Sequence, residues 1–96
     1  MMVLVTYDVS TIEAAGRKRL QRVARACESW GQRVQNSVFE CLVDPAQWEN
    51  LKARLLERID SEEDSLRFYY LGSNWRNRVE HHGAKATPDP EGVMLV

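Results

Sequence analysis

The sequence predicts an α+β domain in which an antiparallel sheet carries two helices on one face, in the order β-α-β-β-α-β. Three observations predict it. The opening run Met2-Val3-Leu4-Val5-Thr6-Tyr7-Asp8 is rich in β-branched residues and apolar on both faces until Thr6 and Asp8, as suits a central strand. Apolar residues then recur at helical period twice, over about residues 11–30 and again from 45 to about 59. Each helical stretch is followed by an extended one, at 32–43 and at 65–71.

In chain order, Ser10-Thr11-Ile12-Glu13 has capping-box spacing, so Ser10 is expected to cap the first helix and Glu13 to reach back to it. Gly16, Leu20, Val23, Ala24, Cys27 and Trp30 make its apolar stripe, and Gly31 is expected to end it. Residues 32–43 fit either two short strands turning near Asn36-Ser37 or one bent strand, with Phe39, Cys41 and Val43 alternating against Val38, Glu40 and Leu42. Asp44-Pro45-Ala46-Gln47 begins the second helix with a cap, a proline at the first helical position and a glutamine three residues after the cap. Trp48, Leu51, Leu55 and Ile59 are its core stripe. A charged loop leads to the strand at 65–71. This order is the split βαβ, or ferredoxin-like, pattern. A tail from Gly72 to Val96 remains, in which Trp75–His81 and Val93–Val96 can form extra strands around a Pro88-Asp89-Pro90-Glu91-Gly92 turn. Such a tail needs something to pair with, and another protomer can supply it.

At 96 residues the chain makes one domain, 1–96, small enough to gain from oligomerisation. No apolar run approaches the roughly 18 residues of a membrane span, and the N-terminus lacks the basic region of a signal peptide. Cys27 and Cys41 sit among apolar neighbours rather than in a metal or disulfide framework, and read as buried free thiols in a reducing cytoplasm. The net charge of −1 argues against a general polyanion binder. Charge is nonetheless segregated. Arg17, Lys18, Arg19, Arg22, Arg25 and Arg33 are opposed locally only by Glu28, whereas Glu57, Asp60, Glu62, Glu63 and Asp64 cluster around Arg58. A basic surface could serve a nucleic acid while the acidic loop stays in solvent.

Asp8 is the leading candidate for chemistry. It closes the central strand before the first helix, where a carboxylate can hold Mg²⁺, an ion that often takes one or two carboxylates and keeps its remaining waters. It can equally cap the turn or accept backbone hydrogen bonds. A two-fold axis near the strand end would bring two copies of Asp8 together. Arg17 and Arg19 flank the apolar stripe near Asp8 and could orient a phosphate through their forked donors. Lys18, Arg22 and Arg25 cluster on the outer face, which is a solvated face or a track for a phosphate backbone. Tyr7 points away from Asp8 and reads as core with a satisfied hydroxyl; Phe39 likewise reads as core rather than a base-stacking platform. His81 and His82, adjacent in an extended tail, would point to opposite faces and read as an exposed dipeptide rather than a chelating pair. No HExxH, Gly-rich phosphate loop or clustered Cys/His set occurs.

Val5-Thr6-Tyr7-Asp8-Val9, the segment from Arg17 to Arg19, and Gly31-Gln32-Arg33-Val34-Gln35-Asn36-Ser37-Val38-Phe39-Glu40-Cys41 together closely resemble the family of the smaller CRISPR adaptation protein, the CRISPR-associated endoribonucleases. The resemblance implies a ferredoxin-like fold and a homodimer in which 72–96 acts as a dimer-forming tail, its strand completing the partner's sheet. It implies Mg²⁺ (or Mn²⁺) held between two copies of Asp8, and cleavage of phosphodiesters in single-stranded RNA or in duplex DNA. The positions matching the family's functional set are Tyr7, Asp8, Arg17, Arg19, Arg33 and Phe39. A second implied role is non-catalytic: the dimer bridges the larger CRISPR integrase subunits and presents a duplex spacer precursor along its basic surface. A toxin-like ribonuclease is a more distant alternative.

Overall fold

The computed structural model describes residues 1–71 and 79–84. The elements follow in the order β1 (Met2–Asp8), α1 (Ala14–Glu28), β2 (Gly31–Gln35), β3 (Val38–Leu42), α2 (Pro45–Arg58), β4 (Ser65–Tyr70) and β5 (Val79–Gly83). All pairings are antiparallel, in a single sheet ordered β2-β3-β1-β4-β5, so β1 is the central strand its composition predicts. Residues 32–43 resolve into two strands turning at Asn36-Ser37, with a bulge between Arg33 and Gln35.

Strand alternation decides which face the helices cover. Val3, Val5 and Tyr7 of β1, Phe39 and Cys41 of β3, and Leu66 and Phe68 of β4 point to the helices and are buried. They meet Val23, Ala24, Ala26 and Cys27 of α1 and Trp48, Leu51 and Leu55 of α2. Cys27 and Cys41 are free and buried, as expected. The Trp48 indole stands edge-on to Phe68 with ring centroids 4.8 Å apart, and its N–H donates to the Tyr70 hydroxyl at 3.1 Å. The opposite face of the sheet carries Met2, Leu4, Thr6 and Asp8 with Val38, Glu40, Leu42, Ser65, Arg67 and Tyr69, and both helices lie on the other side. Leu42 is 65% exposed there.

Three local expectations give way to tertiary structure. The first helix begins at Ala14 with Glu13 as its cap residue and no side-chain cap, not at Ser10. The cause is packing: the chain after β1 crosses α1 so closely that a Cβ on Gly16 would lie 1.8 Å from the Ser10 carbonyl oxygen, so Ser10 belongs to the crossing loop. The helix ends in a turn at Ser29, whose N–H bonds the Arg25 carbonyl, and Gly31 opens β2 instead of closing the helix. Asp64, expected in a solvated acidic loop, is fully buried. The second helix starts as its sequence predicts. Asp44 Oδ1 accepts from the Gln47 N–H at 2.7 Å while Gln47 Oε1 accepts from the Asp44 N–H at 2.9 Å. Asp44→Ala should therefore cost about 1 kcal/mol of stability, read from the urea midpoint at unchanged m-value.

Of the tail, Val79–Gly83 is a strand beside this chain's own β4. It is tied to α2 through Glu80, which accepts from Lys52 Nζ at 2.6 Å, from the Tyr70 hydroxyl at 2.7 Å and lies 2.7 Å from His82 Nε2. Burial alone would raise the Glu80 carboxyl, but Lys52, Tyr70 and His82 outweigh it and bring its pKa to about 2. His81 and His82 do point to opposite faces, His82 packing against Phe68, but both are half-buried in the sheet rather than exposed. Residues 75–78 and the expected strand at 93–96 lie outside the described residues.

Candidate metal site at the end of the central strand

Asp8 is the last residue of β1, opposite Ser65 of β4, exposed, and on the sheet face away from the helices. Thr6 and Arg67 form the next cross-strand pair on that face. Among the described residues no group of three or more His, Cys, Asp or Glu side chains is placed to enclose a metal. Among the described residues one protomer thus offers a single strand-end carboxylate there. That donor suits Mg²⁺ or Mn²⁺, hard ions satisfied by few carboxylates and several waters, and not a closed protein cage.

Directly behind Asp8, on the helix side, lies a buried polar cluster. Tyr7 is 2% exposed and its hydroxyl donates to Oδ2 of Asp64. Arg19 grips the same carboxylate with both arms of its fork, Nε to Oδ2 at 2.8 Å and Nη2 to Oδ1 at 3.1 Å. The Asp60 N–H donates to Oδ2 at 2.9 Å. Burial alone would raise the Asp64 carboxyl, but Arg19, the Asp60 N–H and the Tyr7 hydroxyl hold it below the usual carboxylate range. Burial, reinforced by the hydrogen bond to Asp64, pushes the Tyr7 hydroxyl well above the ordinary tyrosine range, so it stays a neutral donor. The Asp64 carbonyl accepts from the Ala84 N–H at 2.9 Å. Gly83 makes this approach possible, at φ +125° and with a hypothetical Cβ only 2.0 Å from the Asp64 carbonyl oxygen. One aspartate therefore joins β1, α1, the loop before β4 and the end of β5, and it immediately precedes Ser65, the residue across from Asp8.

The other expected site residues lie apart from Asp8's face. Arg17 donates through Nη1 to the carbonyls of Thr11 and Ile12, at 2.9 Å each, bracing the loop that leaves Asp8. Arg33, exposed on the edge strand β2, donates from Nε to the Asn36 carbonyl at 2.8 Å and sets its guanidinium carbon 5.5 Å from the centre of the Phe39 ring. Phe39 itself is fully buried. Lys18, Arg22 and Arg25 are exposed on the outer face of α1.

A model of the family described as CRISPR associated protein Cas2 matches residues 1–79. The chain belongs to the Cas2 family. It is 62% identical over 96 residues to a protein of Nitratidesulfovibrio vulgaris named CRISPR-associated endoribonuclease Cas2, covering 100% of this chain and 94% of that one. It is 55% identical over 95 residues to a Halalkalibacterium halodurans protein named CRISPR-associated endonuclease Cas2, covering 99% of each. A crystal structure of Streptococcus pyogenes Cas2 at pH 6.5 superimposes with a TM-score of 0.74 at 62% identity, over 83% of this chain and 96% of that one. For this Cas2-family chain the residue that sequence reasoning missed is Asp64. Its one sequence signal is position: it stands at the mouth of β4, and the predicted order sets that mouth beside the end of β1 and the start of α1, where Tyr7 and Arg19 need an acceptor.

Proposed function

We propose that the chain is a metal-dependent endoribonuclease-like component of CRISPR adaptation, working as a homodimer in which two copies of Asp8 share a Mg²⁺ or Mn²⁺ ion. The observation that carries this reading is an exposed strand-end carboxylate on the sheet face opposite α1 and α2, in a chain whose relatives are named endoribonucleases. Leu42, Leu4 and Val38 on that face are apolar surface for a second copy to cover, and the 72–96 tail would add to the dimer contact. Bound there, the ion would lower the pKa of a coordinated water and offset charge developing on the phosphate. Asp8 would fix the ion. Tyr7 and Arg19, joined to Asp64, would hold the end of β1 in place, Arg17 would hold the loop after it, and Arg33 over Phe39 would present a cation at the sheet edge. In the test, purified protein cleaves single-stranded RNA only with Mg²⁺ or Mn²⁺, and Asp8→Asn lowers the rate by at least about 10²-fold at a temperature where circular dichroism shows both proteins folded. Equal cleavage by wild type and Asp8→Asn rejects the reading.

The exposed row Lys18, Arg22 and Arg25 favours a second role, in which the dimer bridges the larger integrase subunits and presents duplex spacer precursor DNA along α1. Normal spacer acquisition in cells carrying Asp8→Asn, with loss in a Lys18/Arg22/Arg25 triple alanine variant, would select that role over an essential cleavage step.

A further inference from the structure

The sheet register sets three strand ends in one row. Asp8 of β1 stands across from Ser65 of β4, and Ser65 stands across from Gly83 of β5. Neighbouring strands lie about 4.8 Å apart, so the backbone of Gly83 is about 10 Å from that of Asp8, at the same end of the sheet. Gly83 is the last residue of β5, and the chain is fastened where it leaves. Its φ of +125° is a backbone that L side chains rarely adopt, and a Cβ there would lie 2.0 Å from the Asp64 carbonyl oxygen and 2.6 Å from the Ser65 Cα. This close approach brings the Ala84 N–H to the Asp64 carbonyl at 2.9 Å. The same aspartate holds β1 from the inside. Its fully buried carboxylate takes the hydroxyl of Tyr7, the residue next to Asp8, together with both arms of the Arg19 fork. Asp64 is thus fixed by its backbone to the end of β5 and by its side chain to β1 and α1. A displaced backbone would carry the carboxylate with it, and hydrogen bonds weaken steeply once distance and angle are lost.

We propose that Gly83 and Ala84 are positioning residues for the cation held at Asp8. Their contact with the Asp64 backbone seats the carboxylate that anchors Tyr7, and so fixes the end of β1 at which Asp8 meets the ion. The inference deepens the reading of Asp8 as the residue that holds Mg²⁺ or Mn²⁺, and rests on it. It gives the root of the 72–96 tail a part in the metal site, separate from any contact the tail makes with a second copy. Residues that orient a metal's ligands without touching the ion change its affinity by about 10–100-fold when they are altered. Gly83 and Ala84 act through Asp64 and Tyr7, so the lower end of that range applies.

The test is Mn²⁺ affinity, read from the electron paramagnetic resonance signal of the free ion. It is measured on the full chain over a range of protein concentrations, with sedimentation following the oligomeric state and circular dichroism showing each variant folded. Gly83→Ala should weaken Mn²⁺ binding about tenfold. Ala84→Pro deletes the N–H that reaches Asp64 and adds no side chain at position 83. It should weaken binding by a similar factor, and it carries the test alone if Gly83→Ala does not fold. Glu80→Gln loosens the same strand against α2, away from Asp64, and should leave the affinity unchanged. Wild-type affinity in either folded variant overturns the proposal. So does an equal loss in Glu80→Gln, which would trace the effect to β5 docking in general. A Gly83→Ala protein that regains wild-type affinity once its concentration restores the wild-type oligomer also overturns it, because the residue would then act on association. Asp8→Asn separates the two readings. If it binds Mn²⁺ as tightly as wild type, the ion is not held at Asp8 and the metal-site reading itself fails. If it loses the ion while Gly83→Ala keeps it, only the positioning role fails.

Discussion

Replacing Asp64 with alanine should destabilise the fold by about 3–5 kcal/mol, the cost of removing one partner from a buried ion pair. The lower part of that range is expected, because the Arg19 side chain is 19% exposed and keeps some contact with water. What remains after the substitution is a guanidinium with no counter-charge, a Tyr7 hydroxyl and an Asp60 N–H, all having lost the same acceptor. Asp64→Asn should cost less, since the amide oxygen still accepts from Asp60 or Tyr7 while the charge opposite Arg19 is gone. The two variants also separate by pH. The Asp64 carboxyl is held below its unfolded value, so its contribution is complete above the ordinary aspartate range near 4 and is lost as the pH falls through the lower folded value. Wild type should lose stability over that acid window, and Asp64→Asn should lack this component. Urea unfolding from pH 7 down to pH 3 measures both effects. Equal stability of wild type and Asp64→Ala at pH 7 would show that the cluster contributes nothing.

That cluster also marks where sequence reasoning stops. The strands and helices of this chain are written in local signals: β-branched apolar runs for β1, a reciprocal cap at Asp44 and Gln47, and helical spacing of Trp48, Leu51 and Leu55. Each acts within a few residues, so the alternation of buried and exposed positions follows directly. Asp64 depends on partners 45 and 57 residues away in sequence. In one dimension it is the last acid of a charged run, indistinguishable from Glu62 or Glu63. Its burial arises only when the antiparallel pairing of β1 with β4 sets its side chain against Tyr7 and the first half of α1. The same holds for Ser10. Its spacing to Glu13 satisfies a capping pattern, but the close crossing at Gly16 carries it over the helix instead of onto its end. Asp8 was legible as a strand-end carboxylate, whereas its neighbours Thr6, Arg67 and His81 follow from sheet register, which no single segment encodes.

Phe39→Ala should destabilise the domain by about 3–5 kcal/mol, while Phe39→Leu should cost less than about 1.5 kcal/mol. The ring is fully buried between Val5 of the central strand and the helix layer, and Arg33 of β2 lies over it. Removing the ring leaves a cavity in the core beside Val5, whose β-branched side chain has little freedom to collapse into it. Removing Arg33 instead should cost no more than about 1 kcal/mol, the size of an exposed cation–π contact. This separates two ways in which Phe39 could matter for a nucleic acid. A base-stacking residue would lose RNA affinity on Phe39→Ala at full stability, and leucine, which has no aromatic face, would lose it equally. A core residue that keeps β3 and the Arg33 edge in place would lose stability and activity together, with leucine preserving both. Chemical unfolding and RNA binding measured on the same three variants decide between them, and complete burial of the ring predicts the second pattern.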